Sequence, residues 1–244
     1  MSGHSHSKTI KHQKEITDKK EARLFSKMSR LISVAVKEGG PNVETNSKLK
    51  LAFEMAKKLN MPKENVERAI KRGANEPAGE SLEEVLFEAY APGNIAMIIT
   101  GITDNKNRTL GEVRQVLTQH NGKLVGEGSV KWLFEKKGAI TADLASQKEE
   151  LKSKEAMENL AIEAGAEDIN WQDNVLSIYT NPEGLETTKK ALEGKNIKID
   201  SVSLDWLAKE DIEAEAQTKE SCRKLFDALD ENDAIQEIYS NLKE

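Results

Sequence analysis

The sequence is poor in residues that stabilise several familiar classes of protein. It has 1 cysteine and 5 prolines among 244 residues, and aromatic residues make up 5% of it. A single cysteine cannot form an internal disulfide, which excludes a disulfide-stabilised fold and favours a reducing compartment. No apolar run approaches the ~18 residues of a membrane-spanning helix, and the N-terminal residues lack the apolar segment of a secretory signal. We therefore expect a cytoplasmic protein that does not enter a membrane.

Motifs that carry catalysis or bind cofactors are also lacking. There is no P-loop, dinucleotide fingerprint, H-E-x-x-H, G-x-S-x-G or C-x-x-C sequence. Cys222 lies at helical spacing with apolar neighbours, which predicts a core residue rather than a nucleophile. His4, His6 and His12 are able to meet at a metal, but a solvated tail is the favoured interpretation. We predict no enzyme, no cofactor, no metal and no small-molecule substrate.

The charge of the chain is divided unevenly along its length. Residues 1–75 carry 17 Lys+Arg and 8 Asp+Glu, a net +9, whereas residues 76–244 carry 19 and 34, a net −15. Such asymmetry indicates a polyanion-binding end on an acidic body, although Lys-rich helices are also common as solvated surfaces.

The basic end has the apolar periodicity of three short helices. An apolar stripe from Leu24 to Val36 predicts the first helix, which Gly39-Gly40-Pro41 ends. Asn46 is a candidate N-cap for the second helix, and Pro62 suits the first turn of the third. We expect Gly73 to end the third helix.

The rest of the chain, after a linker at 74–80, alternates strand and helix patterns. This order predicts α+β lobes. Trp132, Trp171 and Trp206 are isolated in strand patterns, which favours core packing over base stacking. The predicted strands cover 85–90, 95–102, 130–134, 139–141, the neighbourhood of 169, 175–180, 198–204 and 235–239. One predicted helix contains 110–117, between the capping residues 103–105 and Asn121-Gly122, and the others cover about 147–164, 185–192 and 215–229.

The cations of the basic end are the candidate nucleic-acid ligands. No pattern of side chains specifies base readout, so we expect recognition of shape or backbone. On the third helix, the pairs Glu64–Arg68 and Glu67–Lys71 offer the alternative of ion pairs that only stabilise the helix. The candidate set is Lys8, Lys11, His12, Lys14, Lys19, Lys20, Arg23, Lys27, Lys57, Lys58, Lys63, Arg68, Lys71 and Arg72.

Several ordered stretches together resemble the YebC family, and the similarity covers nearly the whole chain. The chain departs from the usual family residues at His6, Ser7, Gln13, Glu21 and Ala22. The stretches that carry the resemblance are Met1–Ser5, Ile10–His12, Met61–Gly73, Thr103–Thr109, Gly128–Val130 and Phe134–Gly138.

The resemblance implies an α+β multidomain protein with a basic three-helix domain at residues 1–79. Two α+β lobes of ferredoxin-like type follow, one formed by 80–135 with 205–244 and the other, at 136–204, inserted into it. Family members are described as probable transcriptional regulators that bind DNA. Relatives, including mitochondrial ones, are described as ribosome-associated translation factors that act at difficult sequences such as proline runs.

Three functions stay open on the sequence. The first is a regulator that binds DNA, and the second is a translation factor that binds ribosomal RNA. The third is a protein-interaction module that acts through its acidic lobes. For each we expect a cytoplasmic protein, with a monomer favoured over an oligomer.

Overall fold

A computed structural model describes residues 18–75 and 82–243, with residues 18–20 described through their backbone. The described chain divides into two compact units. The first unit contains residues up to 133 together with those from 212 onwards, and the inserted unit contains 134–211. Within the described ranges, no helix is both long enough and apolar enough to cross a membrane.

Three helices begin the first unit: α1 (Asp18–Gly39), α2 (Ser47–Lys58) and α3 (Lys63–Ala74). Buried apolar residues of α1 form one core with residues of α2 and α3. Asn46 caps α2 as predicted, because its side-chain oxygen accepts a hydrogen bond from the Leu49 N–H at 3.0 Å.

Gly73 does not end α3 as its type predicted, but lies buried inside the helix. A Cβ atom at this position would lie 2.3 Å from the Ser33 carbonyl oxygen of α1. Close by, the Ser33 hydroxyl donates a hydrogen bond to the Ala69 carbonyl at 2.8 Å. The glycine therefore allows α1 and α3 to approach each other at their backbones.

This contact predicts the effect of Gly73→Ala. The added methyl group forces α1 and α3 apart, which we expect to lower the free energy of unfolding by about 2 kcal/mol. Gly111→Ala is the matched control, since its helical glycine has nothing within 4 Å of an added Cβ and should gain about 0.5–1 kcal/mol. Urea unfolding measures both variants, and equal effects would contradict the close approach.

The remaining elements alternate between strands and helices along both units. They are β1 (Glu83–Ala91), β2 (Ile95–Thr103), α4 (Lys106–Gln119), β3 (Lys123–Val125), β4 (Phe134–Asp143), α5 (Lys154–Glu163), β5 (Asp168–Gln172), β6 (Val175–Thr180), α6 (Leu185–Gly194), β7 (Ser201–Ala208), α7 (Ala216–Asp230) and β8 (Ile235–Ser240).

The first unit contains an antiparallel sheet in the order β3-β1-β2-β8. Alternate apolar residues of β1 and β2 share a core with α4 and α7, as a strand with one face on helices requires. The strand β8 thus pairs with β2, although residues 134–211 between them belong to the other unit.

The inserted unit contains an antiparallel sheet in the order β5-β6-β4-β7. Its element order, β-α-β-β-α-β, is that of a ferredoxin-like fold. Since β7 pairs with β4 from Phe134↔Ala208 to Thr141↔Ser201, the insertion is longer than the predicted 136–204 at both ends. Residues 205–208 therefore belong to the inserted sheet, not to the lobe to which the prediction assigned them.

The prediction of one helix over 147–164 is partly wrong. Two short 3-10 turns at Leu144–Ser146 and Glu149–Leu151 precede it, and α5 begins at Lys154. The reason is local, because the Ser153 hydroxyl accepts a hydrogen bond from the Ala156 N–H and so caps the helix there.

The strand predicted over 130–134 is confirmed only at Phe134, where β4 begins, and a buried carboxylate explains the difference. Glu88 of β1 is 2% exposed. Its two oxygens accept hydrogen bonds from the backbone N–H groups of Gly128 (2.6 Å), Val130 (2.6 Å) and Lys131 (2.9 Å). These donors are occupied by the carboxylate, so the segment forms a short 3-10 turn instead of joining the sheet.

The same contacts affect the ionisation of Glu88. Burial opposes the charged form, but the three N–H donors outweigh burial and hold the pKa of Glu88 below its ordinary value of about 4.5. We call residues 126–133, which these bonds hold in place, the Glu88 loop.

Candidate nucleic-acid interface

The structure describes eight of the fourteen candidate residues with their side chains. Lys8, Lys11, His12 and Lys14 lie outside the described residues, as do His4 and His6. Lys19 and Lys20 lie in the first turn of α1, where only the backbone is described.

Arg23 and Lys27 each have a carboxylate partner in the first unit, which their place in the candidate set did not predict. The Lys27 ammonium lies 2.6 Å from Asp230, and the residue is 8% exposed. Arg23 forms an ion pair with Glu231 at 3.2 Å. Both ion pairs therefore join α1 to the C-terminal end of α7.

We expect the effects of substitutions at Lys27 and Asp230 on the free energy of unfolding to depend on each other. Because the pair is mostly buried, removing either partner leaves the other charge poorly solvated. We expect Lys27→Met and Asp230→Asn each to lower the free energy of unfolding by about 1–2 kcal/mol. The double variant should lose less than the sum of the two. Additive losses in a double-mutant cycle would mean that the pair does not couple.

On α3 the predicted ion pairs do not form. Glu67 instead contacts Lys63 at 3.7 Å, between side chains that are 53% and 89% exposed. Arg68 and Lys71 are exposed and make no ion pair with any residue that the structure describes. Their charges are therefore available to an external anion.

The exposed face of α2 contains two residues that the sequence reasoning missed. Lys50, Phe53 and Lys57 are spaced three and four residues apart, so they lie on one side of the helix. Phe53 is 41% exposed, while Leu49 and Ala52 of the same helix are buried. The missed signal was the flanking of this aromatic residue by lysines.

A short connection joins the ends of α2 and α3. It includes Asn60, whose φ of 53° lies in the left-handed region that asparagine tolerates. Lys63 follows Lys57 by six positions, so the lysines at these two helix ends are close along the chain.

We name the exposed lysines and arginines of these two helices from Lys50 to Arg72, together with Phe53, the α2–α3 surface. Residues 47–74 carry 8 Lys+Arg and 3 Asp+Glu, a net charge of +5. The surface consists of Lys50, Phe53, Lys57, Lys58, Lys63, Arg68, Lys71 and Arg72.

A second group of cations lines an open groove of about 600 Å³ in the first unit. Arg23, Arg30 and Arg108 line it, together with Glu112 and Glu231. Two of these arginines are neutralised, since Arg23 pairs with Glu231 and Arg108 lies 2.6 Å from Asp104. Its charges are therefore more balanced than those of the α2–α3 surface.

Two predictions about uncommon residues have different outcomes. Cys222 is fully buried in the core of the first unit, as predicted, and burial raises the pKa of its thiol. Trp132, predicted in the core, is instead 64% exposed. Trp171 and Trp206 are half-buried, and the Trp171 N–H donates to Glu158 at 2.7 Å.

Among the described residues, no group of three or more His, Cys, Asp or Glu could hold a metal ion.

Comparison with protein families matches most of the chain in two adjoining parts. Residues 5–76 match the TACO1/YebC protein N-terminal domain. Residues 82–242 match the TACO1/YebC second and third domain.

Two relatives are similar over almost their full length. A probable transcriptional regulatory protein of Caldanaerobacter subterraneus subsp. tengcongensis is 42% identical over 243 residues, covering 100% of this chain and 98% of the relative. A protein of the same description from Aquifex aeolicus is 44% identical over 244 residues, covering 100% and 96%.

A solved structure has the same fold. The crystal structure of a conserved hypothetical protein from Aquifex aeolicus matches with a TM-score of 0.89 and 43% identity, over 96% of this chain and 95% of that one. With a family match over both parts and relatives of this similarity, the chain belongs to the TACO1/YebC family.

Proposed function

We propose that this protein is a non-enzymatic regulator of gene expression that binds nucleic acid through the α2–α3 surface. The observation that carries the proposal is the contrast between α1 and its neighbours. Arg23 and Lys27 of α1 are neutralised inside the first unit. Arg68 and Lys71 of α3 are exposed and have no ion pair among the described residues.

The chemistry of this surface suits the phosphate backbone better than the base edges. Lysine and arginine neutralise phosphates and release counterions, and this supplies affinity without sequence information. No asparagine or glutamine, the side chains that read adenine, is among the eight residues of the α2–α3 surface. Phe53 adds an exposed ring between two lysines, where it is able to contact sugars or bases.

We propose duplex DNA as the target and the cytoplasm as the site of action. The relatives of Caldanaerobacter and Aquifex are named probable transcriptional regulatory proteins, which supports DNA. Structured RNA presents the same phosphates, so the experiment has to compare the two.

The test is a salt titration of binding to a DNA duplex and to a structured RNA of equal length. The proposal has about four phosphates neutralised, by Lys50, Lys57, Arg68 and Lys71. The slope of log K against log salt on duplex DNA should therefore be about −3.6 or steeper. We expect tighter binding to DNA. Tighter binding to RNA would move the target to RNA, and salt-independent binding would overturn the proposal.

A further inference from the structure

Trp132 is the most exposed large apolar residue that the structure describes, at 64%. It lies in the short 3-10 turn Lys131–Leu133 of the first unit. Its indole N–H donates to the Ser129 carbonyl at 3.0 Å, which satisfies its polar atom within the loop. The exposed part of the ring is therefore open to a ligand without a lost hydrogen bond.

The loop that carries Trp132 is held firmly. Glu88 accepts three backbone N–H groups of this loop, two of them at 2.6 Å, and is itself 2% exposed. The Leu133 N–H donates to the Val130 carbonyl at 2.9 Å. Because the loop is ordered before any ligand arrives, binding to Trp132 costs little conformational entropy.

The surroundings of Trp132 indicate the size and kind of group that would cover it. The exposed residues beside it in the same loop are Gly126, Glu127, Gly128, Ser129 and Lys131, so none of them extends the ring into an apolar patch. An added Cβ on Gly128 would meet nothing within 4 Å. A protein interface would bring a larger apolar surface around the ring, whereas a single planar group needs only the ring itself.

We propose that Trp132 stacks against an unpaired nucleobase of a bound nucleic acid. This inference rests on the proposed function, and it adds a site for single-stranded segments outside the α2–α3 surface. Glu127 and Lys131 cancel in the Glu88 loop, which has no net charge. The contribution of the loop is therefore independent of salt, unlike that of the lysines and arginines.

The test compares Trp132→Ala and Trp132→Phe with the parent protein. Fluorescence anisotropy measures binding to a 20-nucleotide oligo(dT) and to a DNA duplex of the same length, at two salt concentrations. We expect Trp132→Ala to weaken binding to oligo(dT) about 5- to 100-fold with an unchanged salt slope, and to leave duplex binding within about twofold. Trp132→Phe should retain most of the affinity, because it keeps an aromatic face.

Intrinsic fluorescence is the second measurement. Oligo(dT) should quench part of the emission of the parent protein, and Trp132→Phe should abolish that quenching. Trp171→Phe, in the inserted unit, is the control and should leave the quenching in place. The thermal unfolding of each variant checks that the exposed substitution preserves the fold.

The outcomes separate this inference from the proposed function. Equal affinity of Trp132→Ala and parent protein for oligo(dT) would overturn the stacking site, even with duplex binding intact. Equal losses on oligo(dT) and on duplex would also overturn it, since stacking is specific to unpaired bases. If the parent protein binds neither probe, the proposed function is overturned, and the stacking site that rests on it is overturned with it.

Discussion

Replacing Lys50, Lys57, Arg68 and Lys71 by glutamate is expected to lower the affinity for duplex DNA about 10³-fold at 0.1 M salt. Each lost phosphate contact removes about 0.9 from the slope of log K against log salt, so four contacts remove about 3.6. The four residues are exposed. We therefore expect the fold to survive the substitutions, which circular dichroism and thermal unfolding check.

A matched control separates a local interface from the overall charge. Lys136, Lys148, Lys190 and Lys198 are exposed lysines of the inserted unit. Their replacement by glutamate changes the net charge by the same amount. We expect this control to lose less than about tenfold in affinity, because screened charges away from the contact act weakly. Equal losses in both sets would contradict a localised interface.

Glu88→Ala is expected to lower the free energy of unfolding by about 3 kcal/mol, because three backbone N–H groups of the Glu88 loop lose their acceptor. Glu88→Gln, which keeps one acceptor oxygen but no charge, should lose about 2 kcal/mol. Glu83→Gln is the control, since Glu83 is an exposed carboxylate of the same strand. Urea unfolding at pH 7 measures all three, and a silent Glu88→Ala would contradict the role of the carboxylate.

The Glu88 effect should depend on pH in a defined direction. The three N–H donors hold the pKa of Glu88 below its ordinary value of about 4.5, although burial opposes the charged form. A carboxyl group with a lowered pKa in the folded state stabilises the protein above its unfolded pKa. The difference in unfolding free energy between parent and Glu88→Gln should therefore be largest at neutral pH. It should shrink as the pH falls below about 4.5 and through the folded value, and a difference that grows on acidification would contradict this assignment.

Much of the helical region could be predicted from the sequence because its signals are local. The apolar stripe of α1 and the Asn46 cap depend on residues within a few turns of each other. Gly73 shows where local signals fail. The same residue type suits a helix end and a close crossing of two helices, and only the position of Ser33 distinguishes them.

The candidate interface was predicted less completely, because charge alone does not show where a side chain points. Lys27 and Lys57 are both lysines of the basic segment, and the sequence alone does not distinguish them. Asp230, more than two hundred residues later in the chain, forms an ion pair with Lys27, whereas Lys57 stays exposed. The backbone of the loop that carries Trp132 is likewise held by Glu88, a residue of a different element.

The most direct measurement of the central claim is the protection of lysine amines from acetylation when the protein binds a DNA duplex, read by mass spectrometry. We predict that Lys50, Lys57 and Lys71 react in the free protein and become protected in the complex. Lys27 should react slowly in both states, since it is buried against Asp230, and Lys148 and Lys190 should be unchanged. Protection of Lys148 and Lys190, with Lys57 and Lys71 still reactive, would contradict a nucleic-acid interface on the α2–α3 surface.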